Sequence, residues 1–190
     1  MKPWLIAVPA SLLLLAAAAH ADSMEGWFLA GSSPANYDIA RDTKVLHDGK
    51  PSGRMASNSV PNGFGTMMQC VDAADYRGKR MRFSGYVKAQ DVKRWAGLWM
   101  RVDGPGTPAK SIAFDNMQTR PIKGTSDFTQ YSVVLDVANE ATGVCFGILV
   151  DGEGTVWLSD VKFEAVPLSV PVTDTSHAPS KAPKNLDFSH

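Results

Sequence analysis

Trp99 and Arg101, in "GLWMRVDG", lie close in sequence to Asp115, in "AFDNMQTRPIKGT". These residue types could bind a sugar, because an aromatic ring can cover the apolar C–H face of a pyranose. An arginine and a carboxylate can in turn donate to and accept from its hydroxyl groups. The same side chains could instead form an ion pair, partly covered by the indole, that only fixes the loop from Asn116 to Thr125; buried pairs of this kind are weak evidence for function. The residues alone leave both interpretations open.

The alternation of apolar and polar residues predicts how these side chains are presented. In "LWMRV" the aliphatic residues alternate with Trp99 and Arg101, which favours an outward position for the tryptophan and the arginine. Ile112 and Phe114 are expected in the core, which turns Asp115 outward on the next strand. The turn-rich "DGPGTPAK" between the two segments predicts that these strands are neighbours. Trp99, Arg101 and Asp115 are therefore expected on one outer sheet face.

Four further residues are candidates for the same ligand site. Arg82 and Tyr86 occupy outward positions in "RMRFSGYVKA" and are expected to flank that face. Asn116 and Arg120 lie in the loop that follows Asp115, where Asn116 can hydrogen-bond its own turn. Arg120 could bind an acidic sugar or peptide, or it could belong to an ordinary solvated loop.

Short alternating segments continue along most of the chain and predict an all-β protein. They lie at 26–31, 36–42, 53–59, 65–71, 80–89, 97–104, 131–137, 143–152 and 154–166. Glycine, proline, asparagine and aspartate separate them, and no stretch has sustained helical periodicity. Many short strands at regular spacing indicate an antiparallel β-sandwich or barrel.

The two ends of the chain differ from this pattern. An apolar run over residues 4–19 followed by "AHA" is typical of a signal peptide, with cleavage expected after Ala21. We therefore expect a β-sandwich domain over 22–166, located in the periplasm or secreted. Residues 167–190 are rich in proline and serine and are predicted to form a tail that is disordered or loosely draped over the domain.

Charge and composition exclude several classes of partner. The chain has 19 basic and 19 acidic residues and no basic stripe, so a nucleic-acid partner is not expected. No apolar run after the signal is long enough to span a bilayer, so membrane insertion is not expected either. A carbohydrate or protein ligand outside the cytoplasm fits this composition.

The two cysteines, Cys70 and Cys145, predict one disulfide, since an even pair in an exported protein usually forms a bridge. The alternative is two separate buried thiols.

Catalysis finds little support. His47 is the only histidine within 22–166, and its segment "VLHDGK" has no nucleophile signature. Asp103 and Asp115 could in principle hydrolyse a glycoside, but outward acids on a sheet are common, so the protein is not expected to be an enzyme.

Four stretches together resemble one family of bacterial β-sandwich domains, whose members occur alone or attached to transcription regulators. They are "YRGKRMRFSGYVKAQDV", "GLWMRVDG", "FDNMQTRPIKGTSDFTQYSVVLDV" and "FGILVDGEGTVWLSDVKFEAV". The resemblance covers 26–166. The closing "VWLSDVKFE" is also similar to galactose-binding-like jelly rolls, which include many carbohydrate-binding modules. Such modules often bind a structural calcium ion, and Asp160 occupies the place of an acidic residue in that closing strand.

The resemblance implies a jelly-roll β-sandwich without a cofactor other than that calcium ion. Together with the residues above, it predicts a non-catalytic domain that binds glycan through the sheet face carrying Trp99 and Arg101. The alternative is a protein-interaction or structural accessory domain, in which the same cluster has only an architectural role.

Overall fold

The computed structural model describes residues 24–173 and residue 186. The predicted signal peptide and most of the predicted tail lie outside these residues. The nine strands are β1 (Phe28–Gly31), β2 (Tyr37–His47), β3 (Lys50–Ser57), β4 (Phe64–Asp72), β5 (Arg80–Gly104), β6 (Lys110–Asp115), β7 (Ile122–Asp136), β8 (Gly143–Asp151) and β9 (Thr155–Val166). A short 3-10 helix spans Pro34–Asn36. The prediction of an all-β, antiparallel fold is confirmed.

The strands form one curled sheet in the order β1-β4-β8-β5-β9-β3-β2, and β6 and β7 also pair with β5. The 25-residue strand β5 belongs to both sides of the curl. In its C-terminal part, residues 95–103 pair with β8 and residues 100–104 pair with β6. In its N-terminal part, residues 80–90 pair with β9, and the pairing with β7 extends from Arg80 to Ala96. We call β1-β4-β8-β5-β6 the front half of the sheet and β2-β3-β9-β5-β7 the back half.

The main hydrophobic core contains residues from both halves. Its largest fully buried side chains include Phe83, Met55, Met67, Leu98, Met100 and Ile148. A second, smaller cluster consists of Met68, Trp99, Cys145 and Leu149, with Trp95 and Phe114 packed against it. These residues alternate along their strands with core residues, so they lie on the outer face of the front half. The front half is therefore apolar on both faces.

The predicted disulfide is present. Cys70 on β4 lies directly opposite Cys145 on β8, with the two Cα atoms 4.0 Å apart, well within the reach of a bridge. It links two adjacent strands of the front half across 75 residues of sequence.

The first residues after β9 differ from the prediction of disorder. The guanidinium group of Arg80 donates to the backbone carbonyls of Leu168 and Val170, at 2.7 and 2.6 Å. The backbone N–H of Thr173 donates to the carbonyl of Val134 on β7, at 2.9 Å. These hydrogen bonds hold the segment 167–173 against the domain.

Candidate functional site

A cleft of about 630 Å³ crosses the outer face of the front half. All five strands of that half contribute to its lining, and Asn116 from the loop after β6 adds to it. Strand register arranges half of the lining residues in three rows across β4, β8 and β5, with Gly147 and Gly97 completing the rows. The rows are Met68, Gly147, Trp99; Thr66, Leu149, Gly97; and Phe64, Asp151, Trp95.

Trp99 forms part of the floor of the cleft. Its side chain lies on the outer face, as predicted, but it is only 6% exposed. Its indole N–H donates to the Thr66 hydroxyl at 2.7 Å, and that hydroxyl donates to the carbonyl of Ile148 at 3.0 Å. Because the ring is buried and its polar atom is satisfied, Trp99 is a packed base for the cleft and not the exposed platform that the alternation suggested.

Three aromatic residues that line the cleft, Trp95, Phe64 and Phe114, are partly exposed. Trp95 is half-buried, and Phe64 is 37% exposed. The indole N–H of Trp95 donates to Asp151 at 3.1 Å, and Arg94 pairs with the same carboxylate at 2.8 Å. Sequence reasoning did not include these side chains in the site. The shared parity of Trp95 and Trp99 was a usable signal, whereas nothing in "PNGFG" pointed to Phe64.

Arg101 lines another part of the cleft, also on the predicted face. Its guanidinium group binds Asp103 through two hydrogen bonds of 2.7 and 2.9 Å, and its side chain remains 42% exposed. Phe114 on β6 lies opposite Arg101 and also lines the cleft. Arg101 therefore presents its outer edge to the cleft while its charge is balanced by a neighbour on the same strand.

The prediction that Asp115 shares this face is wrong. Asp115 lies opposite Met100, a core residue, and is 8% exposed, while Phe114 takes the outward position. The alternation argument assumed that only one face of the sheet is apolar. Phe114 points outward because the outer cluster around Trp99 offers it apolar partners.

The partners of Asp115 explain its burial. Its carboxylate accepts hydrogen bonds from the Met117 N–H at 2.9 Å, from two guanidinium nitrogens of Arg120 at 3.2 and 2.5 Å, and from the Thr173 hydroxyl. Four donors use the acceptor capacity of one carboxylate. Arg120 and Asp115 thus fix the loop beside the cleft, a role that the sequence analysis had considered for Arg101 and Asp115.

Gly97 lets that loop approach the sheet. A Cβ atom at this position would lie 2.8 Å from the Asn116 carbonyl oxygen and 2.9 Å from the Cβ of Met117. Such distances are too short for ordinary contacts, so glycine is required where the loop crosses the edge of β5. The Asn116 side chain accepts a hydrogen bond from the Gln118 N–H at 3.1 Å, which closes the turn as the sequence predicted.

Arg82 and Tyr86 do not flank the cleft. Arg82 pairs with Glu164 at 2.7 Å in a polar depression on the back half, and Tyr86 stacks on His47 with ring centroids 4.0 Å apart. Arg82 and Tyr86 are outward positions within their own alternating segment. The register of β5 shifts between Val87 and Ala96, and the strand passes from the back half to the front half before Trp99, so alternation in one part of β5 does not place residues on the same surface as alternation in the other.

Asp160 lies on β9 with a positive φ of 48° and is already engaged. One carboxylate oxygen lies 2.7 Å from His47 Nδ1, and the other accepts from the Lys50 ammonium group. Lys50, and then His47, hold the pKa of this carboxyl below its usual value. Asp48 also approaches, but calcium requires six to eight oxygen ligands. A set with one imidazole and a bound ammonium group does not fit a calcium ion.

Comparison with known proteins identifies one curated relative by sequence and many solved structures with the same fold. No family model matches the chain. The chain is 42% identical over 153 residues to the uncharacterized HTH-type transcriptional regulator YbfP of Bacillus subtilis. The match covers 80% of this chain but only 51% of YbfP, so the chain spans about half the length of that relative.

Solved structures share the fold at low sequence identity. The CBM22-1 xylan-binding domain of Paenibacillus barcinonensis Xyn10C is 13% identical with a TM-score of 0.52, covering 76% of this chain and 88% of that domain. The enzymatically active domain of bacteriophage CBA120 tailspike protein 4 is 13% identical with a TM-score of 0.55, covering 76% of this chain and 20% of the other. The chain thus has the β-sandwich fold of carbohydrate-binding modules. In the part of the chain that the structure describes, no helix is long and apolar enough to cross a membrane.

Proposed function

We propose that this domain is a non-catalytic carbohydrate-binding module and that the cleft of the front half binds the glycan. The observation that carries the proposal is the placement of two accessible aromatic rings, Trp95 and Phe64, in an open cleft of about 630 Å³ beside Arg101 and Asp151. Aromatic rings cover the C–H faces of sugars, and polar side chains at their edges bind hydroxyl groups. The xylan-binding neighbour lends support at the level of the fold.

The charges of the cleft favour a neutral glycan. Asp103 binds Nε and one terminal nitrogen of Arg101, and Arg94 is paired with Asp151. An acidic sugar would have to compete with a carboxylate that is already in place at each arginine. Hydroxyl groups can instead add hydrogen bonds to the exposed edges of these pairs, so we expect neutral polysaccharides to bind and uronates to bind weakly.

A glycan array probed with residues 22–190 tests the proposal, and soluble xylan is the first polysaccharide to titrate. Trp95→Ala should weaken binding of the selected glycan by about tenfold, the equivalent of about 1.4 kcal/mol. Phe128→Ala is the matched control, because Phe128 is a half-buried aromatic residue of β7 that packs on His47 in the back half. Equal losses in both variants, or no binding by the parent domain, would contradict the proposal.

We further propose that the domain acts outside the cytoplasm, in the periplasm or after secretion. The apolar run ending in "AHA" supports export, and the disulfide is of the kind that persists in oxidising compartments. Mass spectrometry of protein recovered from outside the cytoplasm should identify Asp22 as the first residue. Recovery of chains that retain Met1 in that fraction would contradict export with cleavage.

A second candidate is a protein-interaction or structural accessory domain. The observation that favours it is that polar groups around the cleft already have partners within the protein. The Trp99 indole N–H, Arg101 and Arg94 are each hydrogen-bonded or ion-paired. Under this alternative, neither the parent domain nor the Trp95→Ala variant binds glycan. The array and the Trp95 variant therefore separate the two candidates.

A further inference from the structure

Thr173 lies 58 residues after Asp115 in sequence but contacts its carboxylate. It belongs to the segment that follows the last strand, and it is bound at three atoms. Its N–H donates to the Val134 carbonyl at 2.9 Å, its hydroxyl oxygen accepts from the Val134 N–H at 2.9 Å, and its hydroxyl hydrogen points to Asp115. The Val134 carbonyl, 3.3 Å from the hydroxyl, is the weaker acceptor, because a charged acceptor forms the stronger bond.

Asp115 is the residue through which this contact reaches the cleft. It stands between Phe114 and Asn116, both of which line the cleft. Because its carboxylate also holds the Met117 N–H and Arg120, it fixes the loop that follows it, in which Asn116 lies. Removing the Thr173 hydroxyl would leave a buried carboxylate with one donor fewer, and an unsatisfied buried acceptor is costly.

A second anchor holds the same segment further upstream. The Arg80 guanidinium group donates to the carbonyls of Leu168 and Val170 with one nitrogen, and its other two nitrogens bind Asp136 at 2.7 and 2.8 Å. Its side chain is 15% exposed. The segment 167–173 is thus attached at Arg80 and at Val134, and its last residue, Thr173, contacts the Asp115 carboxylate.

We propose that the segment 167–173 is a strap and that Thr173 is a positioning residue that holds the cleft wall formed by Phe114 and Asn116. The inference rests on the proposed function for its effect on glycan affinity, but not for its effect on the loop. By thermodynamic linkage, a ligand held by that wall must also stabilise the strap. The attachment of Thr173 is therefore coupled to ligand binding.

The test compares Thr173→Val with Thr173→Ser in the chain 22–190. The valine variant keeps the shape and loses the hydroxyl, whereas the serine variant keeps the hydroxyl. Amide hydrogen exchange of the ligand-free protein, followed by NMR, should be at least fivefold faster at Met117 in Thr173→Val and unchanged in Thr173→Ser. Thr129→Val is the matched control, since the exposed Thr129 hydroxyl contacts only its own turn.

The binding arm uses soluble xylan or the neutral glycan selected on the array. Thr173→Val should weaken binding about three- to tenfold with rescue by serine, and saturating glycan should slow exchange at the Thr173 amide of the parent protein. Unchanged exchange at Met117, or an equal rise at the core residue Val156, would overturn the inference. If the parent domain binds no glycan, the proposed function fails, and exchange at Met117 still decides whether the strap holds the loop.

Discussion

The outer faces of the two halves differ although one strand, β5, runs through both. On the front half, β5 contributes Trp95, Trp99 and Arg101 to a cleft with an apolar floor. On the back half, the same strand contributes Arg82 and Ser84 to a polar depression lined also by Gln130, Lys162 and Glu164. The first surface combines aromatic rings with paired charges, and the second has hydroxyl, amide and charged groups.

A sugar ligand gains most free energy where the protein surface is aromatic. A sugar that covers aromatic surface removes apolar area from water, whereas a sugar on a polar surface mainly exchanges one set of hydrogen bonds for another. The ion pairs differ in the same sense. Asp115 beside the cleft has a side chain only 7% exposed, while Arg82 and Glu164 are 38% and 41% exposed. The front half is thus the more apolar surface.

The largest expected effect separates two tryptophans of the cleft. Trp99→Ala should lower the free energy of unfolding by about 3 to 5 kcal/mol, because it removes a buried ring from the outer cluster. Trp95→Ala should cost under about 1.5 kcal/mol, because this ring is half-buried at the cleft. Chemical denaturation of both variants measures the difference. Equal losses of unfolding free energy would mean that Trp99 and Trp95 do not differ in their contribution to stability.

The next effect compares the two arginine pairs. Arg120→Ala should destabilise the domain by about 3 kcal/mol, since it leaves the buried Asp115 carboxylate without its cation. Arg82→Ala should cost about 0.5 kcal/mol, since that pair is solvated. Both values come from the same denaturation experiment, and a loss in Arg82→Ala as large as in Arg120→Ala would remove the distinction between the faces.

A smaller effect concerns Tyr37, which links the two halves. Its hydroxyl, on β2, donates to the carbonyl of Gly152 after β8 at 2.8 Å, and burial raises its pKa to about 12. Because the unfolded chain ionises near pH 10, this tyrosine stabilises the fold fully below about pH 10, and its contribution is lost as the pH rises towards 12.

Tyr37→Phe should therefore lose about 1 kcal/mol at pH 8 and show a shallower decline of unfolding free energy between about pH 10 and 12. Urea titrations of parent and variant across this range provide the comparison. Identical slopes would show that the Tyr37 hydroxyl is not protected from ionisation by the fold.

Much of the fold was predictable because hydrophobic alternation depends on local sequence. The period of two in 97–104 correctly placed Trp99 and Arg101 outward, and the even cysteine count, in a chain expected to be exported, correctly paired Cys70 with Cys145. Alternation failed for Asp115 because a strand in a sheet that is apolar on both faces has no polar side to mark its orientation.

The rest depended on contacts between distant segments. Arg82 and Tyr86 were assigned to the wrong surface because alternation cannot show where a long strand passes from one half to the other. Thr173 was assigned to a disordered tail because the stretch 167–190 as a whole is rich in proline and serine. Its order comes from hydrogen bonds to Val134 and Asp115, which are remote in sequence.

The central claim is that the front cleft, and not the back face, binds glycan. The most direct measurement is an NMR titration of the chain 22–190 with the selected glycan, following the indole N–H signals. Trp95 and Trp99 donate within the cleft, whereas the Trp157 indole donates to Asp42 on the back half at 2.8 Å. We expect saturable shifts of the Trp95 and Trp99 indole N–H signals, with the Trp157 signal unchanged. Saturable shifts of Trp157 with Trp95 and Trp99 unchanged would contradict the claim.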